Sequence, residues 1–359
     1  MKQMNRRIFL RQRPSGDYDP KILECVTGPV PTPGPGQALV RNLMLSLDPT
    51  NRIWMREEPS YLPPVKLNGV MRGVAVGQVL ASNNSKYKVG ATVAGLLGWQ
   101  DYALIGTDDE SEPIVLPPFP KIPPAQALGV LGTTGMTAYF GLLDIGRPKR
   151  GETVFVSAAA GAVGSIVGQI AKIHGCRVVG IAGTHDKCEW LKRELGFNAA
   201  VCRRDPDWRA QMKAACPNGI DVNFENAGGE IMEAAIELMN NHGRLVLCGM
   251  ISQYNKAEGS GPANFQDLLI KRIKLQGFII LDYMRRFPLA QLRMMWWMKR
   301  GLIKDQTTLV RGLDKAPQAL KQLFNGDNTG KLLVEIGEPP TATEGGSAAR
   351  GRTPEPPPA

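Results

Sequence analysis

The stretch SAAAGAVGS, residues 157–165, follows the apolar run TVFV and runs directly into the helical pattern IVGQIAKIHG. Small residues at a strand-to-helix junction let a backbone come close to something bulky. Laid over the dinucleotide fingerprint G-x-G-x-x-G, the stretch supplies Ala159, Gly161 and Gly164. Alanine takes the first glycine position, yet the requirement for little side-chain volume survives: a tight turn, a backbone open to a pyrophosphate and a close helix-to-strand contact. Helix N-terminal N–H groups would then face the phosphates. Taken alone, the same residues would also serve as a packing turn. The strand before them, the helix after them and a second strand, RVVGIAG, at the right distance make the dinucleotide reading the stronger one.

The end of that second strand decides which nucleotide. An NAD site usually carries an Asp or Glu about 20 residues past the glycines to take the ribose hydroxyls. Here Gly183 and Thr184 stand in that place. Lys187 lies one turn further on, and Arg203 and Arg204 follow the third strand. Cations at that edge suit a 2′-phosphate, so the cofactor expected is NADPH. Further along, NAGG (226–229) and CGMISQYN (248–255) close the next two strands. Ligands bind outside the carboxyl ends of strands in a doubly wound sheet, which places Asn226, Gly249, Ser252 and Tyr254 on the cofactor side.

Working outward, six apolar runs (TVFVSAAA, RVVGIAG, NAAVC, IDVNFENAG, RLVLCG and KLQGFII) alternate with helical segments such as KCEWLKREL and GEIMEAAIELM. That spacing predicts an α/β doubly wound parallel sheet of the Rossmann kind. The first 125 or so residues are instead rich in Pro and Gly between short β-type runs such as QALVRNLMLSLD, GVAVGQVLAS and ATVAGLLGW, and read as a compact β domain. A chain of 359 residues calls for two domains. The last stretch, residues 339–359, has little to bury and reads as a disordered tail.

Composition excludes several classes. The net charge of +10 is spread along the chain without an aromatic-rich basic ribbon, which favours small anions over nucleic acid. No run of about 18 apolar residues is present and the N-terminus has no signal-peptide core, so a cytoplasmic protein is expected, without a membrane partner. Six scattered cysteines and three histidines (174, 185, 242) lack ligand spacing, and no metal site is expected.

The ordered series LSLDP, PSYLPPV, VMRGVAVGQV, GWQDY, TAYFGLLDIG, SAAAGAVGS, ENAGGE, CGMISQYN and NGDNTGKLLVEI resembles the zinc-free branch of the medium-chain dehydrogenase/reductases. Within it, the chain is similar to prostaglandin/leukotriene-type enone reductases, and most of all to bacterial NADPH-dependent curcumin reductases. The resemblance implies a GroES-like β-barrel domain from residues 1–128 and 297–338, a Rossmann domain from 129–296, a cleft between them, and a homodimer. It implies that Gly161, Ala162, Val163 and Gly164 line the pyrophosphate, that Lys187 holds the 2′-phosphate and that Arg203 replaces a family tyrosine there. Asn226, Cys248, Ser252, Tyr254 and Asn328 would touch other parts of the cofactor; Met136, Thr137, Phe278 and Ile279 would lie near the nicotinamide. The family's DPYMR is DPTNR here, so Thr50 and Asn51 would give a smaller-walled, more polar substrate cavity.

The chemistry implied is reduction of the carbon–carbon double bond of an α,β-unsaturated ketone or aldehyde. Such a reaction needs a donor for the oxyanion that develops on the carbonyl. A phenol of pKa near 10 stays protonated at neutral pH, and Tyr254 and Tyr61 are the candidates. A zinc-free quinone reductase would use the same cleft, and a non-catalytic NADPH- or RNA-binding protein is the alternative from another class.

Overall fold

A computed structural model describes residues 4–58, 60–106, 112–118, 122–256 and 261–337; the expected tail at 339–359 lies outside them. The N-terminal part contributes strands β1 (Met4–Leu10), β2 (Leu23–Pro29), β3 (Ala38–Ser46), β4 (Val74–Ser82), β5 (Thr92–Leu96), β6 (Tyr102–Ile105) and β7 (Ile114–Val115), with a short helix α1 (Thr50–Trp54). Apolar residues alternate imperfectly along β3 and β4 because the curved sheet covers a core on one side, where Leu45, Ala75, Met71, Tyr87 and Trp99 are fully buried.

Helices α2 (Pro124–Leu128) and α3 (Thr133–Phe140) lead into the second unit. Its strands are β8 (Thr153–Val156), β9 (Arg177–Ala182), β10 (Ala199–Cys202), β11 (Ile220–Glu225), β12 (Met239–Leu247) and β13 (Lys274–Gly277). They form one parallel sheet in the order β10-β9-β8-β11-β12-β13, matching the six apolar runs of the sequence. All four residues of β8 are buried, as a strand covered by helices on both faces requires. The sequence-adjacent connections reverse direction between β8 and β11, so a crevice opens above their carboxyl ends. Helices α4 (Ala162–Ile173), α5 (His185–Arg193), α6 (Trp208–Ala215) and α7 (Gly229–Leu238) cover this sheet. A short helix α8 (Gln266–Ile270) precedes β13 at the sheet's edge.

Helix α9 (Phe287–Lys299) packs Ala290, Met294 and Trp297 into the core of the α/β unit, together with Ile303 beyond it. The helix thus runs through residue 297, the expected boundary, and the chain leaves the α/β core only after Ile303. It then forms β14 (Thr307–Arg311), α10 (Ala316–Asn325) and β15 (Lys331–Glu335). The last strand inserts between β14 and β3, which makes the first and last parts of the chain one sheet in the order β14-β15-β3-β4-β5-β7, with β6 on β3. Lys331, 2% exposed, anchors this return: its ammonium donates to Asp48 Oδ1 at 2.5 Å and Leu47 O at 3.1 Å. Removing the Asp48 charge would strand the Lys331 ammonium in the interior.

Among the described residues, a backbone hydrogen bond joins the two units at the turn before β15. Gly330 N–H donates to Ala160 O at 2.8 Å, and Gly161 and Gly330 form a parallel bridge. The turn before β15 therefore sits on the small-residue turn between β8 and α4.

Candidate active site

The β8–α4 turn is shaped by its small side chains. Ala158 takes a left-handed φ of 47°, a conformation that costs a non-glycine residue about 1 kcal/mol. Ala159, at the first fingerprint position, is fully buried, and its Cβ lies 2.7 Å from where a side chain on Gly180 of β9 would begin. The volume missing from the fingerprint's usual first glycine is thus recovered on the neighbouring strand. A Cβ on Gly164 would meet Ala158 O at 2.7 Å and Ala159 Cα at 2.9 Å, both rigid backbone atoms, so only glycine lets α4 approach the strand. Gly161 caps α4 without a side-chain hydrogen bond, leaving the first-turn N–H groups of Ala162, Val163 and Gly164 for an anion. Open space surrounds Gly183 at the end of β9. An uncapped helix terminus, a turn with no side chains over it and an edge without a ribose-binding carboxylate together fit a phosphorylated dinucleotide.

Thr184 caps α5, and Lys187 lies in that helix's first turn. Its ammonium reaches across to the other unit, donating to Gly326 O at 2.6 Å and Asn328 O at 2.5 Å. Burial lowers its pKa, opposed by the nearby Asp327. One N–H of the three remains, and the exposed Arg203 stands beside the end of β9, its N–H on Ala182 O at 2.9 Å. Asn328 is 8% exposed and turns its amide onto Gly330 O.

At the end of β11 the structure reveals a residue the sequence reading passed over. Glu225 is fully buried, and its Oε1 accepts from Ser157 Oγ at 2.6 Å, Ala227 N at 2.7 Å and Gly228 N at 2.8 Å; Oε2 accepts from Asn223 Nδ2 at 3.2 Å. Burial raises its pKa against these donors. The carboxylate fastens the ends of β8 and β11 together and fixes Asn226, whose backbone N–H and amide both donate to Ser157. The available signal was a carboxylate at the last position of a parallel strand, directly before the NAGG turn. Cys248 N–H and Gly249 N–H both donate to Glu225 O, and the Cys248 thiol is pushed up to about 12 by burial and then by Glu225, which makes it an inert wall. Ser252 is exposed and its N–H donates to Ala227 O.

Tyr254 closes this wall. Its phenol oxygen accepts the Met250 N–H at 3.2 Å, which leaves its own O–H free to donate. Burial raises its pKa, and Tyr61 is close enough to add to the shift. The Arg56 guanidinium, from just after α1, donates to Tyr254 O at 2.6 Å and so ties the β domain to the loop that carries the phenol. Tyr61, 41% exposed, shares a hydrogen bond with Thr50 Oγ1 and sets its ring edge-on to Trp54 at 6.4 Å. Burial raises its pKa too. The fold thus brings Thr50, Tyr61 and Tyr254 near one another.

Other expected residues are placed differently. Asn51 is 1% exposed, accepting the Asp48 N–H at 2.8 Å and donating to Arg72 O at 3.2 Å; its amide is spent on the loop. Met136 is fully buried in the α/β core, whereas Thr137 is half-buried with its hydroxyl on Thr133 O. Phe278 packs edge-on to Tyr283 at 6.2 Å and against Gly141, with Ile279 following it at the half-buried end of β13. Linear spacing gave His185 no ligand partner, but folding brings it beside Cys202 and Asp205.

A parallel sheet with an unprotected helix terminus over its crevice, roofed by a β domain that carries a second set of polar side chains, defines a two-domain pyridine-nucleotide oxidoreductase. Residues 6–114 match the family described as N-terminal domain of oxidoreductase, and residues 162–295 match that described as zinc-binding dehydrogenase. The NADPH-dependent curcumin reductase of Escherichia coli K12 is 44% identical over 93% of this chain and 98% of its own length. The 2-alkenal reductase (NADP+-dependent) of Nicotiana tabacum is 39% identical over 84% of this chain and 88% of its own. Among solved structures, CurA from Vibrio vulnificus in complex with NADPH superposes with a TM-score of 0.88 at 44% identity, covering 93% of this chain and all of that one. The chain belongs to the medium-chain dehydrogenase/reductases, in their zinc-independent enone-reductase branch.

Proposed function

We propose that the protein reduces the carbon–carbon double bond of α,β-unsaturated ketones and aldehydes with NADPH. The observation that carries this reading is Tyr254, a half-buried phenol whose oxygen is held by a backbone N–H while its proton stays free, at the mouth of a crevice built for a dinucleotide. NADPH bound in that crevice supplies the hydride for the β-carbon.

The chain's own residues do the rest. The α4 terminus and the backbone of 161–164 hold the pyrophosphate, while Lys187 and Arg203 take the 2′-phosphate. Asn226, held by Ser157 and Glu225, together with Gly249, Ser252, Thr137 and Ile279, would hold the nicotinamide half. Tyr254 donates to the substrate carbonyl as negative charge builds there, and one such donor is worth about 3 kcal/mol in comparable sites. Tyr61, held by Thr50, would be the second donor, available for the α-carbon that must be protonated.

The experiment follows NADPH oxidation with a straight-chain 2-alkenal, a dienone and a simple benzoquinone side by side, with the products identified. Conversion of the alkenal or dienone to the saturated carbonyl is expected; turnover of the quinone alone would overturn the reading in favour of a quinone reductase.

We further infer a homodimer through the edge strand β13, where Leu275 and the nearby Leu269 and Ile270 are exposed. A monomer by light scattering would exclude it. All six cysteines are free, which suits a reducing compartment, and we place the protein in the cytoplasm.

A further inference from the structure

We propose that His185, Cys202 and Asp205 form a site for a divalent transition metal ion of the zinc type. One ligand atom from each lies within 4.8 Å of the other two. They come from separate elements: His185 is the first residue of α5, Cys202 the last of β10, and Asp205 sits in the turn that follows. Their backbones are fixed independently of any ion. Cys202 is in register with Ala182, and Asp205 N–H donates to Cys202 O at 3.1 Å.

The chemistry of the set is specific. An imidazole nitrogen, a thiol sulfur and a carboxylate oxygen are the three donors that zinc combines, in sites where a water fills the fourth position. Around a tetrahedral zinc, ligand atoms stand about 3.3–3.7 Å apart. His185 Nε2 is already 3.0 Å from Asp205 Oδ1, so the ring and the carboxylate need only a small spread. No two ligand atoms stand further apart than 4.8 Å, so closing the set around an ion takes at most about 1–1.5 Å of approach, of which the 75% exposed histidine side chain is free to supply its share. Asp205 is also oriented from behind, since its Oδ2 accepts the Gln211 amide at 3.0 Å. Outer-shell hydrogen bonds of this kind set ligand direction in metal sites. Cys202 is 3% exposed and closes the inner side, while His185 leaves the outer side to water.

On binding, the Cys202 thiol gives up its proton to solvent, and the thiolate and carboxylate together cancel the two charges of the ion. No oxidation is involved. The ion would tie the first turn of α5 to the turn after β10, the segments that carry Lys187 and Arg203. Binding itself does not depend on the proposed reduction, so the test is made without cofactor or substrate.

The untagged, reduced full chain is titrated with Co2+ alone. The expected result is one equivalent bound, with a thiolate-to-cobalt charge-transfer band and the intensified visible bands of a four-coordinate site, displaced by Zn2+. Cys202→Ser should abolish the charge-transfer band, His185→Ala should weaken binding at least about tenfold, and Cys25→Ser, at an exposed thiol, should change neither. Because His185 is exposed, its variant keeps the test valid even if the buried Cys202→Ser misfolds. No band at stoichiometric cobalt, a band that follows Cys25, or affinity unchanged by His185→Ala would overturn the proposal.

Discussion

The two walls of the cleft are made of different materials. The α/β wall is mostly backbone: the 157–165 turn, the α4 terminus and the end of β11 present N–H groups and empty volume. The opposite wall is mostly side chain: Thr50, Tyr61, Trp54 and Arg56, offered by α1 and the loop after it, with Arg56 reaching across to the Tyr254 backbone. A backbone wall recognises what every pyridine nucleotide shares. A side-chain wall can be rewritten one residue at a time, and DPTNR is such a rewriting. Under the proposed function, cofactor binding falls to the first wall and substrate choice to the second, and each half of that division can be broken separately.

The largest effect is expected at the residue between the walls. Tyr254→Phe should lower kcat by about 10²–10³ while leaving the NADPH dissociation constant within about twofold, since the backbone wall is untouched. Stopped-flow rates and fluorescence titration would show it; an unchanged kcat would move the donor to Tyr61. Because burial raises the Tyr254 phenol above its ordinary value, the protonated donor persists through that value, and kcat in the wild type should stay flat with pH up to about 10 and decline only above it.

Next comes the backbone wall itself. Gly164→Val drives a side chain into Ala158 O and Ala159 Cα, and the strain of about 1–3 kcal/mol should weaken NADPH and NADH alike by about 10–100-fold. Calorimetry with both coenzymes measures it. Lys187→Ala should separate them: about tenfold or more for NADPH, and at most twofold for NADH, if its remaining N–H meets the 2′-phosphate. Equal losses would show that the lysine acts only through Gly326 and Asn328. The smallest change is expected for Thr50→Ala, which frees Tyr61 from a single hydrogen bond worth about 1 kcal/mol and should alter KM for the enone a few-fold without touching cofactor affinity.

The contrast also explains what could be read from sequence. The six strands of a parallel sheet and the bare edge at Gly183 follow from periodicity and small residues close together in the chain, and the sheet formed as expected. Long-range pairings left no local mark. Arg56 meets Tyr254 across 198 residues, Lys331 meets Asp48 across 283, and the turn at 326–330 docks on 160–161 and Lys187. Asn51 looked like cavity lining from its place in DPTNR, but its neighbours Asp48 and Arg72 claim its amide. Glu225 was visible as a charge at the end of a strand, yet only the fold shows four donors converging on it.

The rung between Gly330 and Ala160 carries a mechanical implication. A main-chain link beside the α4 terminus fixes the separation of the two folding units at that point, while the Arg56 guanidinium on Tyr254 O ties them by a side chain at the rim. A coenzyme seated on that terminus would press on a junction already pinned through main chain, and amide exchange at Gly330 should slow on saturation even though that residue lies outside the Rossmann unit.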